Sequence, residues 1–478
     1  MREYPKDRGD GGGMTRRGFL GAGLAASAAL ATGPALRAAP AVHTGKHGPN
    51  VLLIMTDQQH LETISARGCA HVATPGLDGL CGRGTTFRCS YSGHPLCSPG
   101  RSSLWTGRMP SETGVVQNGR PIHKSIPNIG QWFRDRTDYE TVYVGKWHLP
   151  RSFTHTVPGF ATLTPGVSGQ GNLGDTSTAL ACEGYLRNRS ADRPFLMVAS
   201  FFQPHDICQW LRLNQSVPQD VRYPSLADAL PPLPANFAAN AAEADALCRQ
   251  RDGDEPGKNK GQWTPDHWRY YRWSYYRHIE MVDAEIGRLL AALDATGRTG
   301  DTLVVFTSDH GEGLAHHQMV RKNFLYDEAA RVPLIVSLPG HVPAGGDDAR
   351  SLASGVDVVP TVCDYVGIKP PPHQRGRSLR PVLEGKARQA SPFVVSEVTS
   401  RGALARMVRS PRYKYITYKG DPVEQVFDMQ ADPGETRNLA GASQAASVLA
   451  DHRRMLAEWE QRLTPAPGLP AKERWRSA

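Results

Sequence analysis

At 478 residues the chain can bury a large core, and its length points to two or three domains, or fewer if one large α/β sheet dominates. An apolar fraction of 40% and an aromatic fraction of 8% exclude a disordered or fibrous chain. The net charge is +9, and residues 1–43 hold six Lys/Arg against three Asp/Glu. The mild excess left over suits anionic substrates; with no basic run or recognition motif it excludes a nucleic-acid partner.

The first element in chain order is a signal. Thr15-Arg16-Arg17-Gly18-Phe19-Leu20 is a twin-arginine pair leading into a small-residue apolar stretch, Gly18 to Ala31. That stretch is too short to span a membrane and reads as a cleaved export signal over residues 1–41. Met14 is an alternative start, and cleavage is expected near Ala38–Ala41. The expectation is a periplasmic or extracellular protein, exported folded, with no membrane insertion after cleavage. Eight cysteines, at 69, 81, 89, 97, 182, 208, 248 and 363, are widely spaced and form no metal-type pairs.

Residues 49–55 are a continuous apolar run, predicted as a buried parallel strand that ends in Thr56-Asp57-Gln58-Gln59. Helices are predicted over 75–82 and 126–136, the second leading into a strand at 141–144. Phe195 to Phe202 is another apolar run. A long helix is predicted over 268–296, rich in aromatics early and amphipathic later. Residues 302–307 form a second central strand with an acidic end, Ser308-Asp309-His310, and Val332 to Leu338 a third. Residues 208–262 read as a Pro-, Ala- and Asn-rich insertion. Beyond 390 come short strand candidates at 393–395, 405–418 and 423–429, broken by Ser-Pro and Gly-Asp-Pro turns, then a polar helix near 443–463. The predicted fold is α/β: a large, mostly parallel central sheet sandwiched by helices (48–385), with a small C-terminal α+β subdomain of antiparallel sheet plus helix (386–478).

Polar groups gather after the apolar strands, where α/β proteins place their ligands. Asp57 and Asp309 offer carboxylates to a hard divalent ion, and His310 offers an imidazole. Lys146 and His148 lie in Val144-Gly145-Lys146-Trp147-His148-Leu149, and His205 lies in Phe202-Gln203-Pro204-His205-Asp206. Lys322 precedes Tyr326-Asp327-Glu328-Ala329-Ala330-Arg331-Val332-Pro333, with Arg321 beside it as a competing cation. Cys97-Ser98-Pro99-Gly100-Arg101 joins them. Proline and glycine suit the start of a helix, which would put Cys97 near a positive N-terminus. On these residues alone Cys97 is equally a buried structural thiol, or a thiolate activated by His94 or His148.

The cysteine motif resembles the maturation signature of type I sulfatases, within the alkaline-phosphatase-like superfamily. Gly-Lys-Trp-His resembles their second signature, and Met-Thr-Asp-Gln and Thr-Ser-Asp-His-Gly-Glu resemble their two metal-binding segments. The resemblance spans residues 50–370, with a family-like tail at 432–439. It implies that a maturation enzyme oxidises Cys97 to formylglycine, whose hydrate attacks the sulfur of a sulfate ester. It further implies Asp57, Gln58, Cys97, Asp309 and His310 around a divalent metal, Ca2+ with Mn2+ as the alternative. Arg101 would hold the cysteine segment and the forming diol, Lys146 the nucleophile's oxyanion, and His148 would take the proton that resolves the intermediate. Asn118, His205 and Lys322 would contact the sulfate, the last two assisting the leaving alcohol. Two positions depart from the commonest pattern: Gln58 stands where many sulfatases carry a second aspartate, and Gly100 where Ser, Ala or Thr is usual. Asp-Gln with Asp-His is similar to choline sulfatases and phosphonate monoester hydrolases. The expectation is hydrolysis of a carbohydrate or small-alcohol sulfate; the alternatives are a phosphonate monoester or phosphodiester hydrolase, and an exported non-catalytic binding protein.

Overall fold

Residues 50–57 are all buried, which is the reason for their unbroken apolar run: the strand has a packed layer on each face. A computed structural model describes residues 48–149, 156–163, 171–214, 224–253, 263–400 and 403–469. Residues 1–41, the expected export signal, lie outside the described residues. The described residues form one compact unit.

Its main sheet has eight strands: β1 (Asn50–Asp57), β2 (Thr85–Tyr91), β3 (Glu140–Gly145), β4 (Ala161–Thr162), β5 (Phe195–Pro204), β6 (Thr302–Ser308), β7 (Leu334–Ser337) and β8 (Gly346–Ser354). They lie in the order β4-β3-β5-β1-β6-β7-β2-β8. Only β7 runs against the others, pairing antiparallel with both β6 and β2. The sheet is therefore mostly parallel, as the alternation of strands and helices predicts. β2 and β8 escape the apolar-run reading because they carry polar residues; the outer strand β8 begins Gly-Asp-Asp-Ala-Arg and is half exposed, a composition that discourages edge pairing.

Alternate residues of β1 feed two cores. Val51, Leu53 and Met55 pack with Phe133, Tyr143 and Val359 on one face. Leu52 and Ile54 pack on the other with Leu77, Ala179, Ile286 and Leu290, from helices Pro75–Arg83, Gly171–Asn188 and Pro265–Ala295. The helix predicted from 126 starts at Ile129, because Pro127 precedes an Asn128 cap whose side chain accepts Gln131 N–H, with Gln131 bonding back. Helix Gly171–Asn188 has too many small residues to show an apolar stripe in the sequence.

The tail forms a four-stranded antiparallel sheet in the order β12-β11-β10-β9, from β9 (Val394–Ser400), β10 (Ala403–Arg409), β11 (Tyr413–Tyr418) and β12 (Glu424–Asp428). The run 405–418 is thus two strands, turned at Ser410-Pro411. One face packs on Phe324, Tyr326 and Ala329, and the other is covered by helix Ala446–Gln461 through Leu456 and Trp459. Fully buried Lys414 ties this sheet to the main body, 2.8 Å from Asp327 and 2.7 Å from Glu435. No helix among the described residues is long and apolar enough to cross a membrane.

Candidate active site and metal centre

Strand register brings the predicted residues together. β1 pairs with β6 so that Thr56 faces Ser308, which sets Asp57, the last residue of β1, beside Asp309, the residue after β6. On the other side β5 ends at Pro204, opposite Asp57, and His205 follows. β3 ends opposite Ser200, and Lys146 follows. The adjacent strands β3-β5-β1-β6 thus deliver Lys146, His205, Asp57 and Asp309 along one edge. Gly145 makes the turn after β3 with φ +93, and a Cβ there would lie 2.0 Å from the Ser200 carbonyl oxygen.

Cys97 is the first residue of helix Cys97–Thr106 and is buried, so it belongs to a packed helix start rather than an open loop. Its Sγ lies 3.2 Å from His310 Nε2 and 3.7 Å from Asp57 Oδ1. Gly100, one turn along, packs on Asp309: a Cβ would fall 2.6 Å from the Asp309 carbonyl oxygen and 2.9 Å from that of His94. The close approach accounts for glycine at a position where the resemblance leads one to expect a larger residue.

Arg101 is fully buried and bridges the two carboxylates. Its Nη2 is 2.8 Å from Asp57 Oδ2 and its Nε 2.8 Å from Asp309 Oδ2. Nη1 donates to the Lys146 carbonyl (2.6 Å) and Ser200 Oγ (3.0 Å). The guanidinium therefore grips the carboxylates and the Lys146 backbone. Each carboxylate turns its Oδ1 toward the centre, where Asp57, Cys97, Asp309 and His310 place one ligand atom each within 4.8 Å of one another. His310 Nδ1 sits 2.9 Å from the Gly311 carbonyl and must donate to it, which leaves the Nε2 lone pair facing the cluster. Two oxygens and an imidazole nitrogen, all buried, fit a divalent cation with mainly oxygen preference.

The charges interlock. Burial works to raise the Asp57 carboxyl, but Lys146, with Nζ 2.8 Å from Oδ2, His205, Arg101 and Lys322 together hold it well below the usual range. Asp309 is pushed up by burial and by the Asp57 charge. Burial and Asp57 oppose ionisation of Cys97, yet Lys322, Lys146 and His310 outweigh them and bring its thiol well down. His205 is half-buried; burial and the cations of Lys146 and Lys322 push it down to about 4. For Lys322 burial opposes the charge, and Cys97, Cys208 and Asp57 overcome it and raise the ammonium.

Asn118 Oδ1 accepts the Ser98 N–H at 2.9 Å, and Ser98 Oγ donates to the His148 carbonyl at 2.6 Å. Both predicted residues are thus held beside Cys97. His148 has a left-handed backbone (φ +58), and its buried Nδ1 finds no hydrogen-bond partner among the described residues. Of the Arg321–Lys322 pair, Lys322 places its ammonium on Gln58 Oε1. All eight cysteines are unpaired.

Three contributors have no role in the sequence reading. Glu312, inside the Asp-His-Gly-Glu motif, accepts from Gln58 Nε2. Tyr271 donates to Glu312, and the Tyr275 hydroxyl lies 2.6 Å from the Gln58 carbonyl. The tyrosines come from the aromatic-rich start of the long helix, which was the available signal.

An α/β sheet with carboxylates and an imidazole at its strand ends, and a cysteine at a helix start beside them, defines a hydrolase of the alkaline-phosphatase-like superfamily. The Sulfatase family model matches residues 49–368, and the model for the N-sulphoglucosamine sulphohydrolase C-terminal region matches residues 315–462. The chain belongs to the sulfatase family and is a sulfuric ester hydrolase. It is 33% identical to a Delta 4,5-hexuronate-2-O-sulfatase of Bacteroides thetaiotaomicron, over 86% of this chain and 88% of the relative. It is 28% identical to a choline-sulfatase of Rhizobium meliloti, over 87% and 88%. A solved 2-O GAG sulfatase superposes with TM-score 0.77 at 31% identity, covering 87% of this chain and 92% of that one. A phosphonate monoester hydrolase of Silicibacter pomeroyi superposes with TM-score 0.71 at 25% identity, covering 87% and 96%.

Proposed function

We propose that the protein hydrolyses a carbohydrate sulfate ester, with a 2-O-sulfated hexuronate as the first candidate, through a formylglycine derived from Cys97 and a divalent cation held by Asp57, Gln58, Asp309 and His310. The convergence of three buried ligands and two lysine ammonium groups on one cysteine carries this reading. The hexuronate rests on likeness to the 2-O-sulfatase.

When bound, the cation, Ca2+ ahead of Mn2+, withdraws charge from the reacting oxygens, and the formylglycine hydrate supplies the attacking oxygen. The chain's own groups do the rest. Lys146 and Lys322 direct fixed positive charge at the sulfate, in a buried setting where it counts most. His205 is neutral at pH 7 in the free protein; an arriving sulfate offsets the two lysine charges and favours the protonated ring, which can then donate its proton to the leaving oxygen. His148, with Nδ1 unpartnered, receives the proton that leaves the second hydroxyl of residue 97. Asn118 and Arg101 keep the helix start and the carboxylates in place.

Likeness to the phosphonate monoester hydrolase, and Gln58 in the metal segment, favour phosphonate monoester cleavage as the second reading. Protein co-produced with a formylglycine-generating enzyme is expected to show the aldehyde at residue 97 by peptide mass spectrometry. It is expected to turn over an unsaturated 2-O-sulfated uronate disaccharide faster than choline sulfate, an aryl sulfate or an aryl phosphonate. An intact thiol, or a large preference for the phosphonate, would reject the reading. Export by the twin-arginine route is part of the same proposal and rests on residues 15–20. Replacing Arg16 and Arg17 by lysine should leave the protein in the cytoplasmic fraction; unchanged export would refute it.

A further inference from the structure

Gln58 carries an amide where a carboxylate would add negative charge to the metal centre, and its surroundings show how that change is accommodated. The side chain is fully buried. Its Nε2 donates to Glu312 Oε2, and Cys208 Sγ lies 3.4 Å from Nε2 and 3.6 Å from Oε1. Its Oε1 accepts from Lys322 Nζ. A carboxylate only accepts and an ammonium only donates, so Glu312 on one side and Lys322 on the other allow a single orientation of the amide. The oxygen faces Lys322 and the nitrogen faces Glu312. The Gln58 backbone is fixed as well: its N–H lies 3.1 Å from Asp309 Oδ1, and its carbonyl accepts from Tyr275.

Glu312 is itself held. Its Oε1 accepts from the Tyr271 hydroxyl and the Arg321 backbone N–H, so only Oε2 is left for Gln58. Glu312 has no exposed surface.

We infer that Glu312 is a positioning residue: by accepting from Gln58 Nε2 it fixes the amide so that Oε1, on the Lys322 side, is the atom offered to the cation site. The inference rests on the metal-centre reading above. Gln58 and Glu312 form a matched pair. A carboxylate at 58 would face a buried carboxylate at 312 within hydrogen-bonding distance, a costly pairing of like charges. An amide at 312 would keep its oxygen on Tyr271 and Arg321 and turn its NH2 toward the NH2 of Gln58. One of the two amides must then flip, leaving a donor against a donor at Lys322 or at the Arg321 backbone N–H.

The test is Ca2+ binding to metal-stripped full-length protein by titration calorimetry, with far-UV circular dichroism and melting curves as controls for folding. E312Q is expected to bind Ca2+ at least about tenfold more weakly than the wild type. The double variant Q58E/E312Q, which exchanges the two groups and restores donor to acceptor, is expected to recover most of that affinity. Wild-type affinity in a folded E312Q, or a double variant no better than the single one, overturns the inference. If E312Q does not fold, the double variant decides alone: folded with near-wild-type affinity it supports the pairing, and unfolded or weakly binding it refutes it. Failure of the wild type to bind either Ca2+ or Mn2+ is a separate result, and it rejects the metal centre itself.

Discussion

Cys97→Ala should reduce sulfate ester turnover by roughly 10^4-fold or more, the order seen when a covalent nucleophile is removed. The fold should survive. The side chain is small and sits at a helix start whose backbone is secured by Asn118 and by the Ser98–His148 hydrogen bond. Trimming one buried sulfur atom should change unfolding stability by about 1 kcal/mol, the ordinary scale for a point substitution. The change should be destabilising, because packing is lost together with the attraction that Lys322, Lys146 and His310 exert on the thiol, which outweighs burial and Asp57. Turnover with purified variant and denaturant unfolding are the two measurements. Full activity in Cys97→Ala would end the nucleophile assignment. Lost activity with an unfolded chain would leave a structural thiol as the better account.

Arg101→Leu should be the most destabilising single change at the site. The guanidinium stands between two fully buried carboxylates, 2.8 Å from each. Removing it leaves Asp309 facing Asp57 with Lys146 as the nearest remaining cation on Asp57. Breaking a buried ion pair from one side costs about 3–5 kcal/mol. That loss should be read in EDTA, because a divalent ion on the same carboxylates offsets part of it. Saturation to a hundred times the dissociation constant contributes about 2.7 kcal/mol. The expected pattern is a large drop in stability in chelator and partial recovery in Ca2+. Equal stability of variant and wild type in EDTA would show that Arg101 is not the counterion of the two carboxylates. A variant equally unstable with and without Ca2+ would separate the arginine from the metal centre.

Much of the site was legible because its residues follow apolar strands. The runs 49–55, 195–202 and 302–307 are buried strands, and each ends in the polar group that reaches the centre: Asp57, His205 and Asp309. Strand ends are readable because hydrophobic burial stops where the chain leaves the core. β2 and β8 were not legible, since Thr85–Tyr91 and Gly346–Ser354 owe their pairing to neighbours rather than to an apolar pattern. The reversed direction of β7 was also hidden, because Val332–Leu338 reads the same in either orientation.

Composition and motif order by themselves determined the α/β class, the cysteine motif, the lysine and histidine segments and the two acidic strand ends. Each of these is a local signal, carried within a few residues of chain. The tertiary structure alone decided what those groups do to one another. It set Arg101 across Asp57 and Asp309 and packed Gly100 against a carbonyl. It also locked Gln58 between Glu312 and Lys322, residues more than 250 positions away. Such contacts depend on strand register and helix placement, and a buried donor or acceptor takes its partner from whatever the fold brings within reach. A glutamine in place of an aspartate reads in the sequence as a lost charge; in the folded chain its amide is hydrogen-bonded to the carboxyl group of Glu312.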